Sequence, residues 1–274
     1  MSISYEAVLD VSEHSVLFLS QLLHAERVRR GTRQGTRALG TFKQAVLILR
    51  WFLDDTRMTD LARDNGISLS TAYDYRDEGI AVLAARKPSL HNALLTAKAA
   101  GHTHVIVDGT LIQTDRIHTP GPTPGVDLWW SGKHKRHGGN IQVVSAPDGW
   151  PLWTSEVRPG REHDLTAAKA DPHLLELIAL WVSDGQMSLA DLAYEGEPET
   201  FKVPFKKPKG GRLTTDQQAF NAVHGALRCL GERANSLLKT TYKVLRRYRG
   251  CPWRLGKIAA AALVLLHTEK NRTT

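Results

Sequence analysis

The sequence predicts an all-α unit over residues 1–98 followed by a mixed α/β unit over residues 99–274, and three observations carry the prediction. Apolar residues up to about residue 86 recur at helical spacing. Beyond Gly101, short β-branched or alternating runs (Val105-Ile106-Val107, Asn140 to Val144, Pro151 to Val157, Met187 to Leu189) alternate with helical stretches. Pro88 and the alanine-rich run Ala93 to Ala100, closed by Gly101, read as the join.

The bulk numbers narrow the class of function. A chain of 274 residues with 42% hydrophobic and 23% charged residues builds a substantial core. No apolar run is long enough to cross a bilayer, the N-terminus lacks signal-peptide character, and a cytosolic protein is expected. Cys229 and Cys251 make no metal-ligand pair and are expected to be free thiols. A net charge of +8 and a pI near 9.6 favour a polyanionic partner, nucleic acid first.

Taken in order, Ser12 caps a helix through Val16, Leu19 and Leu23 that ends in Arg27, Arg29, Arg30 and Gly31. The polar stretch Gly31 to Arg37 reads equally as a phosphate-contacting loop or a solvated linker. Phe42 to Leu53 is a helix with a broad apolar face. Thr59 to Asn65 is a second, Gly66 breaks it, and Ser68 or Ser70 caps a third that runs to about Ala85. Leu61, Ala62, Gly66, Ile67, Ala72 and Tyr75 occupy the positions a helix-turn-helix reserves for its anchor, turn and buried contacts, which places such a motif at about 42–86. Ser70, Thr71, Tyr73 and Asp74 would face DNA, with Arg76 beside them for phosphates, although Asp74 and Asp77 are poor company for a polyanion.

In the second unit, Val105-Ile106-Val107 is expected to be a short buried strand that Asp108 and Gly109 stop. A carboxylate buried there needs a cation or a base. His118 to Val126, with three prolines and two glycines, is a loop. Lys133, His134, Lys135, Arg136 and His137 form a phosphate-facing basic turn, and zinc at the two histidines is disfavoured because no second ligand pair accompanies them. Asp148-Gly149 joins two strands into a hairpin. Asp164 is placed to cap a helix, His173 to Trp181 forms another, and Met187 to Gly196 is a strand that runs into a loop at Asp191. Lys202, Lys206, Lys207, Lys209 and Arg212 form a basic loop. Asp216 to Tyr242 is a long helix with Arg228, Glu232, Asn235, Ser236 and Lys239 on one face, and Ile258 to Leu266 is a buried closing helix.

Asp108, Asp191 and Glu232 are therefore candidates to converge, two from strand ends and one from a helix. A set of oxygen ligands without thiolates suits Mg²⁺ or Mn²⁺, and two such ions about 4 Å apart clamp the attacking and leaving oxygens of a phosphodiester. These residues resemble the bacterial insertion-sequence transposases with an Asp-Asp-Glu triad. Val105 to Thr110 resembles that family's first-aspartate strand, Asn140 to Val144 its second strand, Pro159 to Asp164 the motif before its first helix, and Ala190 to Gly196 its second-aspartate motif. Arg228, Glu232 and Lys239 keep both gaps of the family's Tyr-Arg-Glu-Lys signature, while Gly225 stands where the tyrosine would fall, so that residue's role is not carried over. The resemblance implies an RNase H-like catalytic fold with Asp108, Asp191 and Glu232 holding Mg²⁺ or Mn²⁺. It further implies Arg228 and Lys239 on phosphates, a helix-turn-helix on terminal inverted repeats, target DNA as second substrate, a dimer or larger assembly, and action at the bacterial nucleoid. Asp108-Gly109-Thr110-Leu111 also looks like a phosphatase loop of the haloacid dehalogenase type, but Ile106 stands where the nucleophile is required. A catalytically dead, transposase-derived DNA-binding protein is the other reading.

Overall fold

The computed structural model describes residues 8–274. Five helices come first: α1 (Glu13–Arg29), α2 (Thr41–Asp54), α3 (Met58–Asp64), α4 (Leu69–Ala84) and α5 (Leu90–Ala99). Ser12, Ser68 and Ser89 start α1, α4 and α5 by accepting a backbone N–H three residues on, which satisfies a donor the helix leaves unpaired. Gly66 turns the chain between α3 and α4 at φ +62°, a conformation that favours glycine. Leu61, Ala62, Ala72 and Tyr75 are buried in that helix pair, as their spacing predicts. The expected join at Ala93 to Ala100 is instead largely α5, because Ser89 caps it and Leu90, Ala93, Leu94 and Ala97 bury one face.

The mixed sheet follows. Its strands are β1 (His104–Thr114), β2 (Trp130–Ser131), β3 (Arg136–Ser145), β4 (Pro151–Thr154), β5 (Arg158–Pro159), β6 (Met187–Leu189) and β7 (Arg247–Tyr248). β1 is central, antiparallel to β3 on one side and parallel to β6 and β7 on the other; β2, β4 and β5 pair with β3. Gly149, at φ +80°, turns the β3–β4 hairpin at the predicted place.

One expectation fails here. Asp108 and Gly109 do not end a strand; β1 runs on to Thr114, with Asp108 opposite Val143 and Gly109 opposite Gln142. The ladder hydrogen bonds of β3 hold Asp-Gly extended and override its turn preference.

The remaining helices are α6 (Asp164–Lys169), α7 (Leu174–Ser183), α8 (Thr215–Thr241) and α9 (Leu255–Glu269). A reciprocal capping box between Thr214 and Gln217 starts α8. α9 is buried along most of its length and packs on α1, α4 and β4, so one continuous apolar core runs from the N-terminal helices to the sheet. The His267 ring, 2.7 Å from the Pro151 carbonyl, ties α9 to β4.

α8 crosses β1 at Gly231, where an added Cβ would lie 2.5 Å from Cγ2 of buried Ile106. Ile106 is β-branched and fully enclosed, so it has no room to yield. Gly231→Ala is expected to destabilise the fold by about 1–3 kcal/mol, measured by chemical denaturation; an unchanged midpoint would mean that α8 is free to lift from the sheet.

Candidate active site

β1 carries Asp108 into the half-buried space under α8. Its Oδ2 accepts a hydrogen bond from Asn235 Nδ2 at 2.9 Å, while the Asn235 Oδ1 is buried without a partner. Burial, then the charge of Asp191, push the Asp108 carboxyl up from 3.8 to about 6; Arg228 opposes them, and Asp164 and Glu232 add to the rise. Asp108 therefore feels three further carboxylates, which no sequence spacing could show.

Asp191 follows β6, two residues beyond Leu189, which pairs with Ile106 two residues before Asp108; the two aspartates thus occupy equivalent positions along adjacent parallel strands, Asp108 within β1 and Asp191 just past the end of β6. Asp191 also caps the short 3₁₀ turn Leu192–Tyr194, accepting from Ala193 N at 2.9 Å. Glu232 comes from α8, is 65% exposed, and meets Arg228 one turn earlier at 3.2 Å. Asp191 and Glu232 both act electrostatically on the Asp108 carboxyl.

Lys239 is not a free phosphate contact. It is half-buried, and its Nζ donates to Thr110 Oγ1 at 2.6 Å and to the Leu111 carbonyl at 3.0 Å, locking α8 to β1. Burial lowers its pKa, with Asp108 opposing. The signature spacing correctly puts Lys239 on the site face of α8, but tertiary packing occupies its ammonium.

The sequence reading missed the opposite face of β1. Asp164 is not the cap of α6, because His163 occupies that position. The Asp164 carboxylate instead lies against Gly109, accepts from Asn140 Nδ2 at 2.8 Å and pairs with Lys133 Nζ at 3.1 Å. Gln142 Nε2 donates to Asn140 Oδ1 at 3.1 Å, and the Tyr194 hydroxyl donates to Gln142 Oε1. One polar chain therefore runs from the turn that Asp191 caps, through β3, to buried Asp164, and ends at exposed Lys133. The period-two spacing of Asn140 and Gln142, two polar residues on one face of a buried strand, was the available signal. Lys133 loses some charge preference to burial, but Asp164 outweighs this and raises its pKa.

The basic residues sort into used and free. Arg76, expected beside phosphates, is buried: its guanidinium lies 4.7 Å from the Tyr73 ring and 5.2 Å from that of Trp51, and pairs with Asp77 at 2.7 Å. Asp77 also meets Arg254 at 2.6 Å, so that acid is neutralised within the fold. Ser70, Tyr73 and Asp74 remain exposed on α4, with Thr71 half-exposed. Lys243, Arg247 and Arg249 pair with Asp54, Asp115 and Asp55, and Arg246 donates to the carbonyls of Lys239 and Thr240 at the end of α8. Lys135, in the turn before β3, and Arg136, the first residue of β3, stay exposed.

Residues 107–267, well over half of the chain, match the family described as DDE superfamily endonuclease. The chain belongs to the DDE endonuclease superfamily. It is 25% identical over 219 residues to the probable transposase for insertion sequence element IS702 of Microchaete diplosiphon, an alignment covering 78% of this chain and 75% of that one. Among solved structures it is similar to the Mos1 transposase paired-end complex with left transposon end, at 11% identity, TM-score 0.21 and coverage of 87% and 85% of the two chains. It is also similar to a pre-cleavage Mos1 transpososome, at 10% identity, TM-score 0.22 and coverage of 91% and 85%. The family match begins inside β1, one residue before Asp108, and ends in α9, so it spans Asp191, Glu232 and the whole polar chain behind them.

Among the described residues of this DDE endonuclease, no three acids, histidines or cysteines stand ready-made as a metal-ligand set, and no helix is long and apolar enough to cross a membrane. The donor chemistry nonetheless fits a hard divalent ion: oxygen ligands, a carboxylate destabilised by burial and then by like-charged neighbours, and an unpartnered buried amide oxygen beside it.

Proposed function

We propose that the protein is a DNA transposase that cleaves the ends of its element and joins them to target DNA. It would do so through an RNase H-like catalytic fold, with a helix-turn-helix over α3 and α4 reading terminal inverted repeats. The observation that carries the reading is Asp108, raised to about 6 by burial and by Asp191 beneath a helix whose Glu232 adds to the rise. A carboxyl that burial first and neighbouring carboxylates second push this far up is suited to a cation.

Asp108, Asp191 and Glu232 would hold Mg²⁺ or Mn²⁺, which when bound supplies activation of water, and later of a DNA 3′-hydroxyl, for in-line attack on a phosphodiester. The chain's own groups do the rest. Asn235 orients Asp108 through its 2.9 Å hydrogen bond. Arg228, 24% exposed, sets positive charge beside Glu232 and would meet a scissile-strand phosphate. Lys133, held by Asp164, adds a second cation from the turn before β3. On α4, the exposed Ser70, Tyr73 and Asp74, with half-exposed Thr71, form the DNA-facing side, and Arg76 acts from within by fixing Tyr73.

The test is cleavage of a duplex carrying the element's ends, with Mg²⁺, with Mn²⁺ and with EDTA, comparing wild type with Glu232→Ala. Metal-dependent nicking at the ends is expected in wild type, with a loss of at least about 10³-fold in the variant and DNA binding retained. Cleavage by Glu232→Ala at wild-type rate would remove Glu232 from the site. Binding without cleavage under every condition would make the protein a DNA-binding relic.

A further inference from the structure

Once internal ion pairs are accounted for, one segment keeps a dense run of cations that meet almost no carboxylate. Between Lys202 and Thr215 lie Lys202, Lys206, Lys207, Lys209 and Arg212, all exposed, with no acid among them. Among the described residues only Lys206 of these five meets a carboxylate, Glu195 at 3.5 Å. The block from Lys243 to Arg254 is as basic in sequence, yet four of its five cations pair with aspartates and the fifth caps a helix.

The same segment exposes aromatic surface. Phe205 is 47% exposed and Phe220, on α8, 39%; their rings meet edge to face at 5.2 Å, with His224 stacked on the far side of Phe220 at 5.8 Å. The pair is held in place. Asn221 accepts from Phe205 N at 2.7 Å and donates to Phe205 O at 2.9 Å, imitating a strand partner, and buried His224 hydrogen-bonds the Lys202 carbonyl at 2.9 Å. Lys202 in turn bridges Leu189, two residues before Asp191. The root of the loop is thus fixed to the strand that leads into the site, and Phe220 and Glu232 ride one helix about 18 Å apart.

We infer that Phe205 and Phe220, with Lys207, Lys209 and Arg212, form a platform that binds unpaired nucleotides of DNA, the aromatic rings stacking bases and the cations tracking phosphates. The inference rests on the proposed function and names which part of its substrate this surface takes. A duplex hides its base faces in the stack, so exposed phenylalanines within a ring of lysines have something to gain only from a frayed or single-stranded end. The charge excludes an acid-poor apolar peptide as the better occupant, because seating one would strand four unpaired cations.

The experiment is fluorescence anisotropy of the full chain with two labelled duplexes of the same end sequence, one blunt and one with a four-thymidine overhang. Wild type is expected to prefer the overhang about tenfold or more. Phe205→Leu with Phe220→Leu, which keeps apolar volume and removes the stacking faces, is expected to erase that preference while leaving blunt-duplex affinity and its salt slope unchanged. Lys207→Gln with Lys209→Gln is expected to weaken both probes and flatten the salt slope by about 1.5. Equal wild-type affinity for the two probes, or a preference that survives in the leucine variant, overturns the platform. A leucine variant that shifts the sedimentation coefficient from dimer to monomer while keeping the preference overturns it in favour of a self-association face. Failure of wild type to bind or cut the blunt end duplex would count against the proposed function instead.

Discussion

Replacing Asp108 with asparagine is expected to reduce metal-dependent cleavage by about 10³-fold or more and to raise the melting temperature of the metal-free protein at neutral pH. Asparagine keeps the shape and can still accept the hydrogen bond from Asn235, so packing is unchanged. What it loses is the charge. The Asp108 carboxyl titrates at about 6 in the fold against 3.8 for the free group, chiefly through burial and then through Asp191. A raised folded value means that the native state favours the proton. The stabilisation is fully present below about pH 4 and is lost as pH rises through about 6. At pH 8 the wild type therefore folds around an unwelcome charge at a cost of up to about 3 kcal/mol, which the variant escapes. The two proteins should unfold alike near pH 4 and separate by several degrees at pH 8. Mg²⁺ should close the gap by stabilising only the wild type. Parallel pH profiles for the two proteins would show that Asp108 carries no such strain.

The second large effect is expected at Gly109. Its backbone is ordinary strand, so alanine meets no dihedral penalty there. The obstacle is steric: an added Cβ would lie 2.2 Å from Asp164 Oδ1, 2.6 Å from its Cγ and 3.1 Å from Gln142 Nε2. That carboxylate cannot move without breaking its bonds to Asn140 and Lys133 and so opening the chain to Tyr194. Gly109→Ala is expected to cost about 2–4 kcal/mol and, by shifting neighbouring Asp108, about 10²-fold in cleavage. Removing the obstacle should rescue it: in an Asp164→Ala background the same substitution should cost much less. Additive effects in that double-mutant cycle would mean that Gly109 and Asp164 do not share this contact.

Much of this site was legible in the sequence because it is written in local chemistry. The β-branched run before Asp108, the strand into Asp191 and the spacing of Arg228, Glu232 and Lys239 depend on neighbours within a few residues, and period and capping rules read them directly. The same holds for α3, the Gly66 turn and α4 with its buried Ala72 and Tyr75. The errors share a cause. Asp108-Gly109 has the composition of a turn, Asp164 that of a helix cap, and Arg76 and Lys239 that of phosphate contacts; in each case a distant partner decides the outcome. Those partners are β3 for the strand, Asn140 and Lys133 for Asp164, Trp51 for Arg76, and Thr110 with the Leu111 carbonyl for Lys239.

Sequence alone determined most of the helices and the starts of the main strands, which acids are candidates for the chemistry and that the chain favours a polyanion, because propensity, periodicity and net charge are properties of short windows and sums. Only the tertiary structure decided which cations remain free to act and which carboxylates press on Asp108. Ion pairing and desolvation are set by groups far apart in the chain, 189 residues in the case of Asp54 and Lys243, and no local rule reaches that far.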